Sequence, residues 1–240
     1  PAFLMISTGD KPARVTISMP KNPDFARVFT DTIREMPANS SWKFDFTTDE
    51  QMDIIENSHN TSGQVTNKGV HIMADAPIFA YYQIDGGVQH AGRGAQKEIF
   101  TLKGEKALGT EFYTPFQTVY PFYTNYSTEY KQIHIVASDD GTQVTFRAPS
   151  DVANASGSVY AANTTHTIPR LLKKGETLLL RANVSGKQLI GTHITTNGKP
   201  IGACKQCWNK LYSGERIHYK PDKGPCVYFG YARQYRCKTR

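Results

Sequence analysis

The sequence predicts an all-β protein: two tandem, related β-sandwich units from an internal duplication, followed by a short Cys-rich basic tail. Three observations carry this. Short runs of alternating apolar and polar residues, rich in Val, Ile, Thr, Phe and Tyr, recur between clusters of Gly, Pro, Asn and Asp. These runs fall into two ordered series that match piece by piece. After Ala203 the composition changes abruptly, and all four cysteines lie beyond that point.

The duplication rests on the recurring pieces. Gly69-Val70-His71-Ile72 passes through a polar turn to Pro77-Ile78, and Gly191-Thr192-His193-Ile194 does the same to Pro200-Ile201, with the two histidines 122 residues apart. Gly9-Asp10-Lys11-Pro12-Ala13-Arg14-Val15-Thr16-Ile17 is matched by Asp139-Asp140-Gly141-Thr142-Gln143-Val144-Thr145-Phe146, with Val15 and Val144 129 residues apart. Ile33 to Phe44 can be laid on Ile168 to Leu179 at an offset of 135. Offsets that drift over this range are those of a repeated unit whose loops have gained and lost residues. The symmetry makes His71 and His193 strand residues of a repeated corner rather than ligands.

Taken in order, Phe3 to Ser7 reads as a strand and Gly9 to Pro12 as a turn. Arg14 to Met19 is an alternating strand with Val15, Ile17 and Met19 on one face. Phe25, Val28, Phe29, Ile33 and Met36 have helical spacing after Asn22-Pro23-Asp24, but the repeat lays Ile33 onward over a turn between strands, which argues against a helix. Trp42 to Phe46 alternates like a half-buried strand. Its counterpart, Thr177 to Leu180, is a continuous apolar run of the kind buried on both faces. Asn57 to Lys68 reads as a loop, and Gly86 to Gly94 as a glycine-rich excursion. Lys131 to Val136 and Gln143 to Arg147 are strands joined by a tight turn, and Ser150 to Thr167 is a long loop or an edge hairpin. The expected organisation is a first unit over 1–107, a second over 108–203 and a tail over 204–240.

With 39% hydrophobic and 20% charged residues the chain is globular, and no apolar run approaches the roughly 20 residues of a membrane-spanning helix. It begins at Pro1 without an initiator Met or a signal peptide, which reads as a trimmed or partial chain. The net charge of +7 resides in the tail, where nine Lys or Arg face two acidic residues; the body is neutral. A nucleic-acid partner is therefore not expected of the body, and only the tail keeps that weaker reading.

The series of pieces resembles a known family. The Gly-Asp-Lys-Pro-Ala-x-Val-Thr-Ile strand pair, the two Gly-x-His-Ile corners, Gly109-Thr110-Glu111-Phe112-Tyr113, Ile135 to Thr145 and Leu172-Lys173-Lys174-Gly175-Glu176-Thr177 together are similar to the N-terminal domain of the IgGFc-binding protein family. The resemblance covers roughly Phe3 to Ala203, and the sequence departs from it at Cys204. It implies a secreted or cell-surface, β-rich adhesion or binding module whose partner is an immunoglobulin or another host glycoprotein; a glycan partner belongs to the alternative reading of the aromatic stretch below. It supplies no catalytic residue and implies no cofactor.

Two stretches hold candidate site residues. Eight aromatics fall between Phe112 and Tyr130. They read either as core filling or as a stacking platform for sugar rings or a protein, with Tyr120, Phe122, Tyr123 and Tyr126 looping outward as the ligand-binding set. In the tail, Cys204-x2-Cys207, Cys226 and Cys237 leave three alternatives open: a zinc site completed by His218, disulfides, or a non-native end. Asp139-Asp140-Gly141 lacks the spaced acidic ligands of a calcium loop and reads as a turn. Glu111 with Glu129, or Asp45 with Glu56, are carboxylate pairs of a sort any β-rich chain offers, and no nucleophile elbow, P-loop or dinucleotide fingerprint is present. These features predict a non-catalytic module, with a carbohydrate-binding ancillary domain as the alternative.

Overall fold

A computed structural model describes residues 2–19, 31–47, 61–85, 97–115, 130–208 and 227–228. Its strands, in chain order, are β1 (Ala2–Thr8), β2 (Ala13–Ser18), β3 (Thr32–Met36), β4 (Ser41–Asp45), β5 (Val65–Thr66), β6 (Val70–Ala74), β7 (Ile78–Asp85), β8 (Lys97–Leu102) and β9 (Glu111–Tyr113). There follow β10 (Tyr130–Ala137), β11 (Val144–Arg147), β12 (Val152–Ala153), β13 (Val159–Tyr160), β14 (Thr165–Thr167), β15 (Thr177–Arg181), β16 (His193–Thr196), β17 (Ile201–Trp208) and β18 (Val227–Tyr228). The all-β expectation holds across the described residues, which fall into two compact units.

The first unit has two sheets, ordered β4-β1-β7-β8 and β18-β6-β2-β3. Period-two alternation sends Leu4, Ile6, Trp42 and Tyr82 from one sheet, and Val15, Ile17, Met36 and Ile72 from the other, into a single core. Each such side chain contributes about 1.5–3 kcal/mol by leaving water. Trp42, Phe44 and Phe46 add an edge-to-face ladder with centroids 5.6 and 5.1 Å apart. The helical spacing that ran to Met36 does not survive over 32–36. Ile33 is 52% exposed and Met36 3%, the opposite-face placement of residues three apart in a strand, and β3 is paired along β2. Phe25, Val28 and Phe29 lie outside the described residues.

The second unit repeats the pairing order with different strands. Its two four-stranded sheets run β17-β10-β15-β5 and β14-β11-β16-β9, beside a two-stranded β12-β13 sheet, around a core that includes Ile133, Ile135, Val144, Phe146, Leu178, Leu180 and Ile194. As β1 lies between β4 and β7, so β10 lies between β15 and β17. As β2 lies between β3 and β6, so β11 lies between β14 and β16. Register corresponds too: Ser18 faces His71 and Arg147 faces His193, while Ile6 faces Trp42 and Ile135 faces Leu178. The offset read for Trp42 therefore shifts by one residue. Trp42 corresponds to the core residue Leu178 rather than to Thr177, whose side chain lies on the other face.

The two Gly-x-His-Ile stretches are corners at which the chain passes from one sheet to the other, from β6 to β7 and from β16 to β17. A side-chain oxygen fixes each. Asp75 accepts a hydrogen bond from the Arg14 backbone N–H at 2.8 Å, and Asn197 accepts one from the Gln143 N–H at 3.1 Å. Gly198, at φ +89°, supplies the reversal after Asn197.

All five residues of β15 are buried, as its continuous apolar run required. The stretch read as a loop over Asn57 to Lys68 contains β5, which pairs with β15 and belongs to the second unit. The composition boundary after Ala203 falls inside β17, whose pairing with β10 runs unbroken from Ile201 opposite Ala137 to Trp208 opposite Tyr130. The backbone of β10 needs partners along its whole length, and charge composition carries no information about where that requirement ends.

Candidate binding face

The outer face of sheet β14-β11-β16-β9 is where the second unit collects polar and aromatic groups. Along β9 the alternation places Phe112 against the core and sends Glu111 and Tyr113 outward. Its partner β16 buries Ile194 and presents His193 and Thr195 on the same outer side. Thr145 and Arg147 of β11, then Thr165 and Thr167 of β14, continue the two rows across the sheet. One row reads Tyr113, His193, Arg147, Thr165; the other reads Glu111, Thr195, Thr145, Thr167.

Backbone contacts hold β9 in place at both ends. Thr196 N–H donates to Thr110 O at 3.0 Å, Thr114 N–H donates to Thr192 O at 3.0 Å, and Thr192 N–H donates to the Thr114 hydroxyl at 2.9 Å. So positioned, the Tyr113 ring stacks on the His193 imidazole with centroids 4.3 Å apart and planes 6° from parallel. His193 Nε2 lies 2.7 Å from Glu111 Oε1, which fixes the imidazole from the other side. Arg147 Nε donates to Asn163 O at 2.9 Å, in a turn where Asn163 adopts φ +57°. The Thr145 and Thr167 hydroxyls are 3.0 Å apart.

Tyr113 remains 64% exposed. A flat aromatic surface backed by a second ring suits stacking against a planar or apolar group. The carboxylate, guanidinium and hydroxyls around it supply hydrogen bonds that fix orientation. This is binding chemistry spread over an open sheet.

The predicted site residues are placed unevenly. Tyr120, Phe122, Tyr123 and Tyr126 lie outside the described residues, as do Cys226 and Cys237. Within the aromatic stretch, Phe112 packs against the core, Tyr113 is on the open face, and Tyr130 lies beneath the Arg181 guanidinium at 4.3 Å. Cys204 and Cys207 stand on β17, opposite His134 and Lys131. Their backbone there is extended, so Cα atoms three residues apart are separated by about 10 Å, beyond the reach of a direct disulfide and unlike a metal-binding knuckle. Among the described residues no group of three or more His, Cys, Asp or Glu is arranged to hold a metal ion. Asp139 to Gly141 forms a turn in which Asp140 accepts the Lys174 backbone N–H at 2.8 Å and Gly141 O accepts from the Asn197 amide at 3.0 Å.

Three members of the open face, Glu111, Arg147 and His193, carry no sequence signal that groups them. In the sequence His193 reads as part of the repeated corner and Glu111 as one of a generic carboxylate pair. Only the β9–β16 pairing brings them together, across 82 residues of chain.

Residues 97–214 match the protein family described as IgGFc binding protein, the family that the motif series resembles. The match covers just under half of the chain. It begins later than the resemblance suggested and continues past Ala203, in keeping with the unbroken strand there. No curated protein and no solved structure matches the chain. Among the described residues no helix is long and apolar enough to cross a membrane.

Proposed function

We propose, from the match of residues 97–214 to the IgGFc-binding family, that this chain is a non-catalytic binding module of a secreted or cell-surface protein. Its partner on this reading is an immunoglobulin Fc region, a mucin or another glycoprotein, engaged through the outer face of β14-β11-β16-β9. The observation that carries the reading is the exposed Tyr113–His193 stack held by Glu111, within the matched segment. Tyr and Arg in such a setting are the residue types that most often dominate protein interfaces. The second reading, a carbohydrate-binding domain, is favoured by the same ring, since a sugar face stacks on an exposed tyrosine.

A panel of immobilised immunoglobulin Fc, mucin and glycans separates the two. The protein-binding reading expects capture by Fc or mucin that Tyr113→Ala and Arg147→Ala each weaken at least about tenfold, the loss of one to two kcal/mol that an interface anchor carries. Binding confined to free glycans moves the assignment to the carbohydrate reading. Binding that neither substitution affects places the site elsewhere, with the Tyr120, Phe122, Tyr123 and Tyr126 stretch as the next candidate.

The two units are further read as products of one duplicated sandwich. Supporting this are the shared pairing order, the shared register and the equivalent bonds at Asp75 and Asn197. For the tail, the extended backbone at Cys204 and Cys207 favours bonds to Cys226 and Cys237 over any bond between the two. Mass spectrometry with and without reduction, alongside zinc analysis, distinguishes disulfides from metal.

A further inference from the structure

Residues 61–68 lie in sequence between β4 and β6, both in the first unit, yet they pack into the second. There they close the edge of the β17-β10-β15 sheet beyond β15. Thr66 and Val65 pair with Thr177 and Leu178, and Gly63 N–H donates to Leu179 O at 2.8 Å. Ser62 is fully buried and bonded on several sides. Its hydroxyl donates to Ala153 O at 2.6 Å and accepts from Arg181 N–H at 3.1 Å, while its carbonyl accepts from Ala155 N–H at 2.8 Å. The Thr66 and Thr177 hydroxyls are 2.7 Å apart, and Arg170 Nη1 donates to Val65 O at 3.3 Å.

One position in this strap admits only glycine. Gly63 has φ +74°, and a Cβ there would stand 2.7 Å from the Tyr160 ring and 3.4 Å from Ala153 O. The strap therefore has a recognisable pattern: a small hydroxyl residue, a glycine in the left-handed region, then a β-branched pair. The receiving surface is built from β15 and the β12–β13 hairpin, so it is formed wholly by residues distant in sequence from the strap. The family match begins at residue 97 and leaves the strap out.

We propose that the edge of β15 together with the β12–β13 hairpin is a strand-acceptor groove, filled in the intact chain by residues 61–66 as a donor strand. When its own strap is displaced, the groove accepts the same segment from a second copy of this chain. Recognition is that of strand addition, in which backbone hydrogen bonds give affinity and the buried Ser62 and Gly63 positions give selectivity. In the intact protein the tethered strap occupies the groove at an effective concentration in the millimolar range, so a free strand competes poorly.

The experiment uses full-length protein. Gly63→Val combines a β-branched side chain at positive φ with the Tyr160 clash, and so ejects the strap. Ser62→Ala is the milder variant, losing two buried hydrogen bonds while keeping the glycine. The probe is a fluorescent peptide with the sequence of residues 61–68, its Gly→Val version serving as the control. The expected result is saturable binding of the native-sequence peptide to Gly63→Val, at least about tenfold tighter than to the unaltered chain, as release from a tethered competitor requires. Ser62→Ala should fall between, and the control peptide should bind neither variant. Equal binding to variant and unaltered chain, or equal binding of the two peptides, overturns the proposal. If Gly63→Val does not fold, absence of binding to Ser62→Ala overturns it as well.

Discussion

The two units share a pairing order and differ in what covers them. The second unit buries both sides of its central strands: Ile133 and Ile135 face the core, while Gln132, His134, Leu179 and Arg181 on the opposite side are buried as well. In the first unit the equivalent outer side is only partly covered: Phe3 is buried, while Lys43 and Asp45 on β4 and Phe79 on β7 are exposed. The fourth strand is also added at opposite edges, β8 beside β7 in one unit and β5 beside β15 in the other. Strand order is held by the residues that point inward, and these correspond: Leu4 and Ile6 with Ile133 and Ile135, Trp42 and Phe44 with Leu178 and Leu180. Outward residues carry no such obligation and differ between the units.

The largest expected effects test the shared interior. Ile6→Ala and Ile135→Ala remove matched, fully buried side chains, and each should cost 2–5 kcal/mol. Urea unfolding followed by probes in each unit should show comparable losses. A loss in only one unit would break the equivalence.

Next in size is a difference between the units. His134 occupies the position held by Met5 in the first, and burial lowers its pKa from 6.5 to about 4. Above pH 6.5 the imidazole is neutral folded or unfolded. As the pH falls through that value the unfolded chain takes up the proton first, and stability is lost until the folded value is reached. The total loss is roughly 3 kcal/mol between pH 6.5 and 4. His134→Met should flatten the stability profile over that window relative to the unaltered protein, and curves that remain parallel would reject this role for His134.

Smaller effects concern the open face. Tyr113→Ala should change unfolding stability by less than about 1 kcal/mol while removing partner binding, since the ring is largely exposed. Loss of both together would make it a structural residue. Smallest is the coupling between Glu111 and His193, which a double-mutant cycle should place at about 0.2–1 kcal/mol at low salt, declining as salt is raised.

Much of this architecture is legible in the sequence. Alternation assigned Val15, Ile17, Trp42 and Phe44 to interior faces, and the apolar run at Thr177 to Leu180 to a doubly buried strand. Composition changes at Cys204, while the hydrogen bonding of β10 continues to Trp208. The candidate site is less legible in the sequence. Glu111, Arg147 and His193 carry no shared spacing, and the aromatic stretch that attracted attention divides at its first two residues, Phe112 inward and Tyr113 outward.

The sequence by itself determined the β character, the face on which most strand residues lie and the resemblance to the IgGFc-binding family. Each is a local or ordered property, set by side-chain period and turn chemistry. Tertiary structure alone decided that residues 61–68 belong to the second unit, that β9 lies against β16, and that Tyr113 stacks on His193. Period two fixes which way a side chain points but is silent on which strand lies beside it. That choice is made by hydrogen bonds and packing between segments tens of residues apart.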